Sequence, residues 1–162
     1  MIIRKLKPED KKLICMLSDQ INQEHYENMP TDFKEPDGQG SDWEHWCAFD
    51  NDERGILLVA EDGDIAVGFI AGRVVDSGKS SYLVPKKKLQ ISTIVVEQST
   101  RGQGIGRALV ESAVSVSRSM GATEAFLEVM AYNAGAEKFY SALGFGKYST
   151  KLSVQFIRPA LE

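Results

Sequence analysis

Apolar residues recur along this chain in two rhythms. Runs of strand length, rich in β-branched residues, occur at 2–6, 56–60, 65–75 and 91–96, and a fifth pattern of the same kind spans 124–130. Between them apolar positions return at helical spacing, as Leu13, Ile14, Leu17 and Ile21, then as Ile105, Leu109, Ala113, Val116 and Met120. Pro8 suits the first turn of the first helix, which is expected to end near Glu24. Pro30, Pro36, Gly38 and Gly40 make 25–41 a loop or broken helix, and 42–46 begins a short helical return. Asp62-Gly63-Asp64 is a compact turn signal that joins two strands into a hairpin, and a polar connection follows over 76–88. A last helix contains Ala134, Ala136, Phe139, Tyr140 and Leu143, with Asn133 as its cap and Gly144 as its stop; two closing strands are predicted at 146–150 and 152–157.

Composition narrows the function without choosing it. At 162 residues, the chain reads as one domain over 1–162, large enough to bury a core without disulfides or metal. The 19 basic and 23 acidic residues give a net charge of −4, which lacks the basic footprint of a nucleic-acid-binding protein but is compatible with a cationic substrate. No apolar run reaches membrane-spanning length and the start lacks the long apolar region of a signal peptide, so the expected compartment is cytoplasmic, with no membrane partner. Cys15 and Cys47 are isolated thiols among apolar neighbours, and their spacing to His25 and His45 fits no zinc module, so no metal is expected. The lysine run Lys86-Lys87-Lys88 reads as a solvated strand edge in preference to a phosphate contact.

The chemistry gathers at Arg101-Gly102-Gln103-Gly104-Ile105-Gly106, which joins the strand at 91–96 to the long helix. Alternate glycines let the backbone curl and remove the Cβ atoms that would hold a ligand away from main-chain N–H groups. Those N–H groups lie at a helix N-terminus, which favours an anion, and Arg101 and Arg107 add charge on either side. The run is a pyrophosphate cradle in outline. It is neither the dinucleotide fingerprint, which needs a third glycine where Arg107 stands, nor a Walker loop, which ends in Gly-Lys-Ser/Thr. The missing glycine disfavours a nucleotide-dependent oxidoreductase.

Two motifs in order carry a resemblance. Arg101-Gly102-Gln103-Gly104-Ile105-Gly106 matches Gln/Arg-x-x-Gly-x-Gly/Ala, and Asn133, Ala136, Phe139-Tyr140 and Leu143-Gly144-Phe145 match Asn-x-x-Ala-x-x-Phe-Tyr-x-x-Leu-Gly-Phe. Together they resemble the GNAT superfamily of acetyl-CoA-dependent N-acetyltransferases. The resemblance implies an α/β (α+β) fold: a mixed, largely antiparallel sheet flanked by helices, whose central parallel strand pair splays apart to admit the cosubstrate's pantetheine arm. It implies acetyl-CoA held by 101–107, by the main chain of Ile94, Val95 and Val96, and by Asn133, with an amine acceptor, protein or small molecule, walled partly by the region that holds Tyr26, Phe33, Trp43 and Trp46. Dimers are common in the family, so a homodimer is within what it implies.

Acetyl transfer from a thioester to an amine needs a neutral amine and a donor for the departing thiolate. Making an α-amine neutral at pH 7 costs about 1.4 kcal/mol, and a lysine about 4.6 kcal/mol. Glu128 is the expected base: on the predicted strand it shares a face with Phe126 and Met130, where a carboxylate is costly unless paired, hydrated or functional. Its place in Leu127-Glu128-Val129 is also similar to that of a base in family members that acetylate protein N-termini. Tyr140 resembles the tyrosine that donates to the leaving sulfur. Ser92 and Thr93 stand where many members carry an acidic residue, and neither is a base at neutral pH. The expected reaction is direct attack in a ternary complex; the alternative is a non-catalytic acyl-CoA sensor or interaction module on the same fold.

Overall fold

Gly63 and Asp64 take left-handed φ angles of 56° and 64°, closing the predicted hairpin on two residues. Around it the computed structural model, which describes residues 1–38, 42–78 and 81–156, forms one five-stranded sheet. The strands lie in chain order: β1 (Ile2–Lys5), β2 (Gly55–Asp62), β3 (Ile65–Asp76), β4 (Lys87–Val96) and β5 (Glu124–Phe126). Neighbours are antiparallel except β4 and β5, which are parallel. The sheet is therefore mixed and largely antiparallel, as the resemblance implied.

Alternation along the strands divides the core in two. Ile56, Leu58 and Ala60 of β2, with Ile70 and Val74 of β3, meet Ile105, Leu109, Val110 and Ala113 of α3 (Ile105–Ser119). The other face of the same strands, Leu57, Val59, Phe69 and Ala71, packs on Ile14 and Leu17 of α1 (Lys11–Asn28) and on Trp46 and Phe49 of α2 (Trp43–Asn51). The fourth helix, α4 (Ala134–Ala142), joins the α3 side through Ala136, Phe139 and Tyr140. Arg4 of β1 clamps the entry to α1, donating 2.7 and 2.8 Å bonds to the buried carboxylate of Asp10 and a further bond to Glu61. Cys15 is buried in α1 and Cys47 half-buried in α2.

Several expectations are corrected. The first helix continues beyond Glu24 to Asn28, because no Pro or Gly interrupts it before Pro30. The strand predicted over 124–130 ends at Phe126, where its ladder with β4 stops. Residues 146–156 form no strand, Ile157 lies outside the described residues, and Leu152, Val154 and Phe156 stay largely exposed. Their alternation marks a strand only where a neighbour offers both an edge and apolar cover, and β5 is too short to offer much edge. Lys86 and Lys88 bind the carboxylate of Glu124, which they hold down to about 2, and Lys87 donates to the Met120 carbonyl at 3.4 Å. These lysines sit at the amino end of β4, roughly 30 Å of extended chain from the glycine loop.

Candidate active site

The site begins where two strands part. β4 and β5 pair only at Lys88 with Glu124, Leu89 with Ala125 and Gln90 with Phe126. Beyond Gln90, β4 runs on to Val96 while residues 127–130 leave the ladder, so one main-chain edge of 91–96 faces a widening gap. A bulge lies in the same stretch. Ala71 pairs with Thr93 but Gly72 pairs with Ile91, which leaves Ser92 without a partner across the sheet. The extra residue shifts the phase of the strand: Ile91 and Ile94 both face α3, and Val95 faces α1. Such a break re-aims side chains beside the gap.

At the carboxyl end of β4 the chain turns through 97–104 into α3. Gly102 and Gly104 have φ of 80° and 83°, and a Cβ at either would meet nothing within 4 Å. Their left-handed backbone thus faces open space. Among the described residues, the amides of Gly102, Gln103 and Gly104 have no acceptor, and those of Ile105, Gly106 and Arg107 belong to the first helical turn, which has none of its own. The open glycine backbone expected at the start of α3 is there, with its amides free of protein acceptors among the described residues. Gly106 has a different part: a Cβ there would stand 3.0 Å from Phe139 Cζ and 3.9 Å from Ile94 Cδ1. Its missing side chain lets α4 and β4 close on the start of α3.

The two arginines are partly committed. Arg101 Nε donates to the Val96 carbonyl at 3.1 Å, tying the loop to the strand end. Arg107 leans away along α3, 3.5 Å from Glu111 and 3.4 Å from the Ala142 carbonyl. Its charge serves the far side of the helix as much as the cradle. Asn133 caps α4 as predicted, its Oδ1 accepting from the Ala136 amide at 2.9 Å, and Gly144 ends that helix with φ of 91°.

Tyr140 is 8% exposed, with its ring edge-on to Phe139 at 5.0 Å and to Phe145 at 5.5 Å. Burial pushes its phenol up to about 12. The hydroxyl has no partner among the described residues, and no buried side-chain oxygen there is left unsatisfied, so this atom is where the residue reaches accessible space. Glu128 lies beyond the end of β5 and is exposed. Leu127 and Val129 on either side of it pack into the α3-side core, while Glu128 stays exposed between them. The strand face expected for it is replaced by a segment that keeps its alternation without a ladder.

One contact had no signal in the sequence. His25 near the end of α1 shares a 2.5 Å hydrogen bond, Nδ1 to hydroxyl, with Tyr132, and its ring stacks on Phe33 at 4.7 Å. Of the other aromatics in that region, Trp46 is buried against Phe69 and its Nε1 donates to Ser18 Oγ at 3.0 Å, a packing role.

Residues 19–145, well over half of the chain, match the model of the Acetyltransferase (GNAT) family. The chain belongs to the GNAT acetyltransferase family. The family uses acetyl-CoA, and the open glycine backbone and unpaired edge of β4 fit a nucleotide diphosphate and an extended arm. Among relatives, streptothricin acetyltransferase of Streptomyces lavendulae is 39% identical over 111 residues, 68% of this chain and 54% of that protein. N-acetyltransferase 8F1 of Rattus norvegicus is 34% identical over 104 residues, 64% of this chain and 45% of that protein. The chain thus spans about half the length of the curated relatives it matches. The GNAT fold recurs in a mutant of the BH1408 protein of Bacillus halodurans, with a TM-score of 0.90 at 22% identity over 97% of this chain and 100% of that one. It recurs too in aminoglycoside N-acetyltransferase AAC(6')-Iy in complex with CoA, with a TM-score of 0.71 at 15% identity over 97% and 100%. No helix among the described residues is long and apolar enough to cross a membrane.

Proposed function

We propose that this GNAT domain transfers the acetyl group of acetyl-CoA to a primary amine by direct attack in a ternary complex. The observation that carries the reading is the meeting, at the carboxyl end of β4, of an unpaired strand edge and a row of open amides at the start of α3. In this reading the amides of 102–107 hold the diphosphate, the main chain of Ile94, Val95 and Val96 pairs with the pantetheine arm, and Asn133 orients it from the far side. Acetyl-CoA supplies the activated thioester. Arg101, anchored to the end of β4, keeps the loop in register with the strand.

Two side chains act on protons. Glu128, exposed between the packed Leu127 and Val129, accepts the proton that the amine must lose. Tyr140 donates a hydrogen bond to the sulfur as it departs. With its phenol near 12, it retains the proton: full transfer to a thiolate of about 8.5 would cost roughly 5 kcal/mol. The names of two compared proteins point to streptothricin and aminoglycosides as acceptors, and this chain's acidic balance suits a cationic amine of that general kind.

The test is an acceptor screen over aminoglycosides, streptothricin, polyamines and peptides with free α-amines, read by mass for one added acetyl group. Transfer to any of them supports the reading. Binding of acetyl-CoA with no transfer across the panel would replace it with a non-catalytic acyl-CoA sensor. In an active enzyme, Glu128→Gln is expected to depress the rate most at low pH, where more of the amine is protonated; an unchanged pH profile removes Glu128 from the mechanism.

A further inference from the structure

Residues 127–132 occupy the critical side of the gap, yet the sheet does not hold them. The β4–β5 ladder ends at Phe126, and 127–129 make no main-chain hydrogen bond to another element among the described residues. Their position must come from side chains. Leu127 and Val129 anchor the segment on the α3 face. The hydrogen bond between Tyr132 and His25 ties it to α1, a contact spanning 107 residues of sequence.

Phe33 braces the contact. His25 stacks on Phe33 with rings 18° from parallel and meets Tyr132 edge-on at 6.2 Å. Three separate stretches of chain therefore converge: the end of α1, the turn after it, and the loop that leads into α4. Immediately after Tyr132, Asn133 begins α4, whose Phe139 abuts Gly106 at the cradle. The segment is thus a strap along the β5 side of the splay, fixed to the α3 side by the packing of Leu127 and Val129 and to α1 by His25.

We infer that His25, acting through its hydrogen bond to Tyr132, is a positioning residue that fixes the acceptor side of the site by holding the strap on which Glu128 lies. The inference rests on the acetyl-transfer reading above and adds to it the device that aims Glu128 at the amine. The diphosphate cradle belongs to other elements, so the two sides of the site should separate in the kinetics. Loosening the strap weakens the fit of the acceptor and spares acetyl-CoA.

The full chain is compared with His25→Phe, which keeps a ring for Phe33 and removes the bond, with Tyr132→Phe, and with His25→Asn, whose amide can stand near the place of Nδ1. The first two should raise acceptor KM about tenfold, the scale of one lost hydrogen bond. The acetyl-CoA Kd should stay within about twofold, and His25→Asn should recover most of the acceptor KM. Backbone 15N relaxation gives a readout free of activity. Order parameters across 127–132 should fall from the rigid range of about 0.85 toward the flexible range below about 0.6 in both Phe variants, while α3 is unchanged. Acceptor KM within twofold of wild type in an active enzyme, or unaltered order parameters, would overturn the inference. Should wild type acetylate no amine, the enzymatic reading falls, and the relaxation data alone decide whether His25 holds the strap.

Discussion

Replacing Tyr140 by Phe removes one oxygen and leaves the ring that Phe139 and Phe145 grip at 5.0 and 5.5 Å. Because the hydroxyl makes no bond to another described residue, its loss should change folding stability by less than about 1 kcal/mol. The effect on catalysis should be larger. A hydrogen bond to a charged partner contributes about 2 kcal/mol, and in the proposed reaction the departing sulfur is charged only as the bond breaks. Removing it is expected to lower kcat about thirtyfold while acetyl-CoA affinity stays within about twofold. Steady-state kinetics with the best acceptor, together with calorimetric titration of acetyl-CoA, measure both. Turnover within twofold of wild type, or a fall in affinity as large as the fall in kcat, would refute the donor role and leave Tyr140 as packing.

Four further outcomes test the surroundings. Tyr140 also marks alkaline stability: its phenol is raised by burial from about 10 to about 12, so stability present below pH 10 is lost as pH rises through that window, by roughly 3 kcal/mol, and Tyr140→Phe should flatten that part of the urea-midpoint profile. At Asp10, burial alone would raise the carboxyl, but the Arg4 bonds and the Lys7 amide outweigh it and hold it below the usual carboxylate range; the resulting stability is complete above about pH 4 and is lost as pH falls further. Asp10→Asn, which leaves Arg4 short of charge in a half-buried site, should cost about 3 kcal/mol in urea denaturation at pH 7. Gly106→Val should cost about 1–3 kcal/mol in the same assay and weaken acetyl-CoA binding, because its methyl groups would be driven into the Phe139 ring at the base of the cradle.

Much of this architecture is legible in local patterns. The two-residue turn at Gly63 and Asp64, the cap at Asn133, the stop at Gly144 and the open loop at Gly102 and Gly104 all depend on residues close in sequence, where backbone stereochemistry acts directly. The bulge is written in the chain: Ile91 and Ile94 are three apart where plain alternation requires two or four, and both face α3 because Ser92 is inserted between them. Alternation also overextended β5, since Leu127 and Val129 keep pointing inward after the ladder has ended. It suggested closing strands from Leu152, Val154 and Phe156, for which the fold provides no cover.

The remaining features depend on distant partners. Nothing near His25 indicates that Tyr132 will meet it, and nothing near Gly106 indicates that Phe139 will need its space. Arg107 read as a second charge for the cradle, but the carbonyl end of α4 and Glu111 draw it along the helix. Such contacts follow from the packing of whole elements, so a sequence pattern can nominate the residues without pairing them.

The most direct measurement is an NMR titration of the 15N-labelled protein with acetyl-CoA and, separately, with S-acetylpantetheine, which lacks the diphosphate. Acetyl-CoA should shift the amide protons of Gly102, Gly104, Ile105 and Gly106 downfield to saturation, and S-acetylpantetheine should leave those four in place while moving residues 94–96. If acetyl-CoA binds with those four amides unmoved, the diphosphate lies elsewhere and the account is contradicted.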